Sequence, residues 1–458
     1  MDTYSQFIKD SGIKAFDQEH RRTINFNMAK YDMAVLKGKK QYKNLDKAKD
    51  RAAFIKYKVI NDLDKYLIKF EDNFTANGGK VIWAQDKKEA IKEVLNIVKK
   101  NEIQKVVKTK SMTTEEIDLN TALGKKKIDV VETDLGEYIV QLAGEKPYHI
   151  VTPAMHKSKE NVADLFNEKF QTDKDANPEE ITEFVRNLLR EKFIDADVGI
   201  SGANFLIADT GAISLTENEG NGIMTMAFPK VHIVIAGIEK LIPRLTDLDL
   251  FLPLLATYGT GQKISVYNSI ISGPKNTDEV DGPEKMYLIL LDNKRTNLLV
   301  QELQRQALSC IRCGACLNAC PVYKNIGGHT YKTTYSGPIG AVINPYMLDI
   351  KDYKHQSFAS TICGKCTEVC PVKIPLHKLL LANRNESVKK KHYSTKDKLS
   401  ILAWKKALAS RKRMDMFGYK NKNLILKYVY KKAWGTHREL PKIEEKSFNA
   451  MWKEKNEQ

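Results

Sequence analysis

Long apolar runs are missing from this 458-residue chain. A membrane-spanning helix needs about 20 predominantly apolar residues, and the best approach to one, Val231 to Leu241, is interrupted by Glu239 and Lys240. The N-terminus, from Met1 through Asp2 to Lys9 and Asp10, lacks the apolar stretch of a secretory signal. The expected location is therefore the cytoplasm. Proline and glycine are scarce, at 14 and 25, which excludes collagen-like and low-complexity chains. Cysteine is absent everywhere except between Cys310 and Cys370, where all seven lie. An odd count without a secretory signal argues against a disulfide framework, because cytosolic thiols stay reduced. Seven thiols crowded into one stretch point to metal chemistry instead.

What remains is an ordinary globular composition, 42% hydrophobic and 29% charged, in a chain long enough for two or three domains of about 150 residues. Residues 1–75 read as a helical segment, with Ala52, Ala53, Ile55, Val59, Ile60, Leu63, Leu67 and Ile68 at helical spacing within Lys43 to Asn73. Residues 76–296 alternate short β-rich runs with helices. Strands are expected at Lys80–Trp83, Lys105–Lys108, Ile128–Glu132, His149–Val151, Ala196–Ile200, Phe205–Ala208, Ala212–Thr216 and Val231–Ala236. Helices are expected at Lys88–Lys99 and Thr113–Leu123. That order predicts an α/β layered domain with a largely parallel sheet. Gln171 to Glu180 reads as a loop whose Asn177-Pro178-Glu179 opens the next helix, and Asn268 to Glu284 as a second loop. Residues 297–388 are helical around the cysteines, and 389–458 form a basic helical tail. Of the net charge of +17, the stretch from Lys389 to Arg438 carries +14, with 16 Lys or Arg against Asp397 and Asp415.

The first cysteine run is Cys310-x2-Cys313-x2-Cys316-x3-Cys320-Pro321. This is the spacing of bacterial ferredoxins, in which three close thiolates hold one [4Fe–4S] cube and the fourth reaches a second. Structural zinc, the bland alternative, prefers paired Cys-x2-Cys knuckles. The second run is Ser360-x2-Cys363-x2-Cys366-x3-Cys370-Pro371, a repeat of the first with serine in the leading position. Cross-ligation then assigns Cys310, Cys313, Cys316 and Cys370 to a complete [4Fe–4S] centre. Cys320, Cys363 and Cys366 are left for a second centre that is one thiolate short. Ser360, water or a partner's group would complete it, or it would convert to [3Fe–4S] on oxidation; His329, His355 and His377 are the fallback ligands nearest in sequence. The 42 residues between Cys320 and Cys363 exceed a minimal ferredoxin connection, so helices are expected to carry the motifs.

The α/β part contains Lys108-Thr109-Lys110-Ser111-Met112-Thr113-Thr114-Glu115-Glu116, then Glu132-Thr133-Asp134-Leu135-Gly136-Glu137, and later Asp209-Thr210-Gly211. With the two C-terminal motifs and their serine, the chain resembles the lactate utilisation protein B family, the iron–sulfur component of the bacterial L-lactate utilisation system. The resemblance runs roughly from Lys43 to Asn383. It implies a CoA-transferase/ribose-phosphate-isomerase-like α/β domain followed by an α-helical ferredoxin domain. It also implies electron carriage during oxidation of L-lactate to pyruvate, beside two sister subunits. On that reading the chain is a non-catalytic electron-transfer subunit, and no catalytic residue is assigned.

Other sites compete with duller readings. Thr216-Glu217-Asn218-Glu219-Gly220 resembles the turn that presents the nucleophilic glutamate of CoA transferases, which would make the chain a CoA-transferase-like enzyme with a redox appendage. Glu219 breaks that pattern, and a polar turn explains the residues as well. His149, His156 and His232 would bind a carboxylate or relay protons, against the commoner role of structural histidine. Gly220-Asn221-Gly222 and Gly259-Thr260-Gly261 lack the third glycine of a dinucleotide fingerprint, so no nicotinamide or flavin is expected. For the basic tail, docking on an acidic partner subunit ranks first, a membrane surface at the inner face second, and nucleic acid, the mark of an iron–sulfur regulator, a distant third.

Overall fold

The computed structural model describes residues 2–435 and 438–456. Ten strands follow one another along the chain: β1 (Lys80–Ala84), β2 (Lys105–Lys108), β3 (Asp129–Glu132), β4 (Val198–Ser201), β5 (Phe205–Ile207), β6 (Ala212–Glu217), β7 (Val231–Gly237), β8 (Leu241–Ile242), β9 (Tyr267–Ile271) and β10 (Lys285–Leu291). Six form one sheet in the order β1-β10-β7-β4-β2-β3, parallel at every pairing. The others form a mixed sheet in the order β8-β5-β6-β9, whose β5–β6 and β6–β9 pairs are antiparallel.

A parallel sheet needs both faces covered, and β10 shows how the sequence meets that demand. Tyr287, Ile289 and Leu291 face one apolar layer, with Ala90 and Val94 of the helix Lys87–Lys100 in it. Met286, Leu288 and Leu290 face the other, with Phe70 and Phe74 of the helix Leu63–Ala76. A third core joins the N-terminal helices to the cysteine region: Phe7, Ile24 and Met28 share it with Phe251, Leu317, Tyr323 and Leu380. Residues 1–75, 76–296 and the cysteine region thus interdigitate within one compact unit, Met1–Ser387. Val388–Gln458 is a second unit.

Several expectations need correction. His149–Val151 is not a strand but a bend, because the amides of Val151 and Thr152 donate to the His149 ring at 3.1 and 3.2 Å instead of to a neighbouring strand. The expected loop Asn268–Glu284 begins inside β9, which pairs with β6 from Tyr267 to Ile271. The expected helix Thr113–Leu123 is two short helices, Met112–Glu116 and Leu119–Gly124. They are separated by Asp118 in the left-handed region at φ 51°. Asp62 likewise divides the long N-terminal periodicity into Leu45–Asn61 and Leu63–Ala76. Asn177 does open a helix, Pro178–Ile194, in a reciprocal capping box with Glu180.

In the second unit the helices Thr395–Leu408, Arg411–Asp415, Gly418–Ile425 and Phe448–Asn456 bury none of their residues. Leu399, Ile401, Trp404, Phe417, Tyr428 and Trp452 are all exposed. Among the described residues, no helix is long and apolar enough to cross a membrane.

Candidate iron–sulfur site and adjoining cleft

The two cysteine runs fold into loops of the same shape. In the first, Arg312 takes a left-handed φ of 61° and its amide donates to Cys310 Sγ at 3.4 Å. In the second, Ile362 takes φ 55° and its amide donates to Ser360 Oγ at 3.1 Å. Gly314 and Gly364 follow at φ 77° and 80°, each starting a single helical turn, Ala315–Asn318 and Lys365–Glu368. Left-handed backbone at that point is what glycine permits. After each turn an amide donates to the closing thiol: Tyr323 to Cys320 at 3.5 Å and Ile374 to Cys370 at 3.4 Å. Ser360 therefore stands where Cys310 stands, down to its amide donor.

Cys310, Cys313, Cys316 and Cys370 line one small cavity with Ile150, Ile339 and Val372. Burial, and then the charge of Cys310, pushes the Cys370 thiol up to about 12. Burial and the charges of Cys310, Cys313 and Cys370 push Cys316 well above its usual value. Cys320, Cys363 and Cys366 gather separately: burial, followed by Cys320 and Cys363, pushes the Cys366 thiol up to about 11. Buried thiols so close, as in the four-cysteine set, resist ionising together unless a cation shares the space. A soft-donor set of this kind, with amide donors on its sulfurs, fits iron–sulfur units. The fallback histidines are otherwise engaged: His329 Nε2 with Lys146 O at 2.7 Å, His355 Nδ1 with Asp352 O at 2.9 Å, and His377 Nδ1 with Thr367 Oγ1 at 2.8 Å.

A buried ion network, which sequence spacing did not reveal, ties the first loop to the α/β domain. Arg295 reaches Glu116 at 2.9 Å and Glu239 at 2.5 Å, and Arg312 reaches Glu239 at 3.4 Å. Tyr335 donates its hydroxyl to Glu116 at 2.6 Å, and its ring lies 4.2 Å under the Arg312 guanidinium. Arg295 and the guanidinium of Arg312 hold the Glu239 carboxyl down, to about 2, against the effect of its burial. Glu116 closes the first resemblance motif. The lysine that opens it, Lys108, is fully buried 2.8 Å from Glu132 and 3.6 Å from Glu115. Burial and the Glu132 charge push Glu137 well above the carboxylate range.

Beside the first loop lies a cavity of about 410 Å³ lined by Thr109, Lys110, Asp134, Glu217, Lys240 and Arg312, among others. Glu217 accepts from the amides of Gly222 and Ile223 at 2.6 and 2.9 Å, so both its oxygens lock the turn after β6. His149 is fully buried and held low, to about 3, by that burial. His232 sits within the sheet, bonded to Ser201 Oγ at 2.8 Å. His156 pairs with Glu145 at 2.6 Å, and His329 converges on the same spot.

Known families match two successive stretches of the chain. Residues 67–291 match the LUD domain and residues 306–374 the 4Fe-4S dicluster domain. Lactate utilization protein B of Bacillus pumilus (strain SAFR-032) is 40% identical over 427 residues, 91% of this chain and 90% of that protein. Lactate utilization protein B of Bacillus thuringiensis (strain Al Hakam) is 45% identical over 349 residues, 76% of this chain and 73% of that protein. A DUF162 family protein from Deinococcus radiodurans overlaps half of this chain at 13% identity and a TM-score of 0.29, too remote to bear on the site. The chain belongs to the lactate utilization protein B family, with a LUD domain followed by a 4Fe-4S dicluster domain.

Proposed function

We propose that this chain is the electron-transfer subunit of a complex that oxidises L-lactate to pyruvate. Cys310, Cys313, Cys316 and Cys370 hold one [4Fe–4S] centre in this reading. Cys320, Cys363 and Cys366 hold a second, whose remaining corner falls to Ser360 or an exogenous ligand. The observation that carries the reading is the gathering of seven thiols from two runs into two adjacent sets. Bound there, such centres supply single-electron carriage.

The residues around them do the rest. Backbone amides of Arg312, Tyr323 and Ile374 donate to ligand sulfurs, which stabilises thiolate charge and tunes potential. Apolar walls around the four-cysteine set keep water away, while Cys363 is exposed, so electrons have a short path to a docked partner on that side. The family's name implies sister proteins, and the basic second unit, with its uncovered apolar and aromatic side chains, suits docking on an acidic one; an anionic membrane surface is the other fit for that composition. Deleting the gene tests the function: growth on L-lactate as sole carbon source should be lost while acyl-CoA exchange persists. Unimpaired growth would refute it.

A further inference from the structure

The cleft beside the first cysteine loop has the marks of a built binding site. It lies where ligands collect in parallel sheets, outside the carboxyl ends of the strands: Thr109 to Thr113 follow β2, Asp134 follows β3 and Gly202 to Asn204 follow β4. Polar groups there are left unpaired. Arg312 has a side chain only 9% exposed, yet its Nη1 has no partner. Thr109 is 4% exposed and its Oγ1 is also without a partner. Leaving such groups unpaired is costly unless something occupies the space. Lys240, on the same wall, makes no hydrogen bond or ion pair with any described residue.

Charge narrows the class of occupant. Arg295 and Arg312 are balanced by Glu116 and Glu239. Lys110, the other lysine of the lining, donates to the Val151 carbonyl and its charge acts on Glu219, which leaves Lys240 as the surplus cation at the Arg312 end. Asp134, Glu217 and Glu219 line the same cavity and would repel a phosphate dianion or a polyphosphate tail. A monocarboxylate matches one surplus cation. The unpaired Thr109 hydroxyl and Glu219, whose carboxyl is pushed up to about 7 by burial and the Asp134 charge, line the same cavity and are available to a hydroxyl or oxo group of the occupant.

We propose that Lys240 and Arg312 receive the carboxylate of a small 2-hydroxy or 2-oxo acid in this cleft, against the first cysteine loop. Cys313 lines both this cavity and the four-thiol cavity, so an occupant is felt at the first centre. The inference deepens the electron-transfer reading by placing the acid on this subunit.

The test uses the full chain, purified and iron-loaded without oxygen, with pyruvate and L-lactate as probes in equilibrium dialysis. Saturable binding at one site per chain is expected, with propionate weaker and inorganic phosphate unable to compete. Lys240→Met should weaken binding about tenfold or more, as loss of a charge-assisted hydrogen bond does, with Lys240→Arg restoring it. Thr109→Val, which keeps shape, should weaken the two probes but not propionate. Pyruvate should also shift the EPR spectrum of the reduced first centre in the native protein and not in Lys240→Met. Absence of saturable binding, indifference to Lys240→Met, or effective competition by phosphate would overturn the proposal. Protein that binds pyruvate but holds no iron would sink the electron-transfer reading alone. Protein with both centres and no pyruvate binding would sink this one alone.

Discussion

The two cysteine loops share a backbone and differ in almost everything around it. The first is pressed against the α/β domain, where a Cβ on Gly314 would meet Val151 Cγ2 at 3.0 Å and His149 Cε1 at 3.2 Å. The second is open at the same point: a Cβ on Gly364 meets nothing within 4 Å. The first is anchored by the Glu116–Arg295–Glu239–Arg312 network. The second is held by Arg384, which donates to the carbonyls of Ser357 and Ser360 at 3.0 and 2.6 Å. The first begins with a thiol and the second with a hydroxyl. One loop geometry has thus been placed in two environments, a shielded one facing the cleft and a more open one in which Cys363 is exposed. In the proposed function that asymmetry gives the relay its direction.

The comparison can be broken most severely at a ligand. Cys313→Ala should remove about half the iron, since it strikes only one of two centres, and should destabilise the core around Leu317 and Tyr323. Iron analysis of the anaerobic protein would show it, and full iron content would contradict the assignment. Next in size is the anchor. Arg295→Met leaves Glu116 buried without its cation and Glu239 with Arg312 alone, a change that costs about 3–5 kcal/mol. Urea unfolding under anaerobic conditions measures it, and a loss below about 1 kcal/mol would mean that the network does not hold the first loop. The glycines sharpen the contrast further. Gly364→Ala should cost only the left-handed backbone penalty, about 1–2 kcal/mol. Gly314→Ala should cost more, because Val151 and His149 must also give way. Equal losses in unfolding experiments would deny the difference in shielding.

Much of this was legible in the chain. Thiol spacing located both loops, and the serine at position 360 lies where the repeat put it. Apart from His149–Val151, the strands expected up to Val231–Ala236 formed, because those runs are short, β-branched and flanked by turns. The run Lys285–Leu291 carries no such signal although β10 is an interior strand, between β1 and β7. Buried on both faces, it has no alternation to read, and it follows a Gly-, Pro- and Asp-rich loop. Local competition defeated the His149–Val151 prediction, since a ring nitrogen took the amides that a strand would have used. The anchoring network was invisible for a different reason. Glu116, Glu239, Arg295 and Arg312 are far apart in sequence, and only the tertiary fold brings them together.

The most direct test of the asymmetry is anaerobic EPR during graded addition of a mild oxidant, on the native protein and on Ser360→Cys. With three thiolates at the outer centre, the native protein should develop a new oxidised-state [3Fe–4S] signal while the four-cysteine centre persists. Ser360→Cys, which places a thiol in the position equivalent to Cys310, should suppress that signal. A native protein that never shows it, or a Ser360→Cys variant as oxidant-sensitive as the native one, would contradict the three-thiolate assignment.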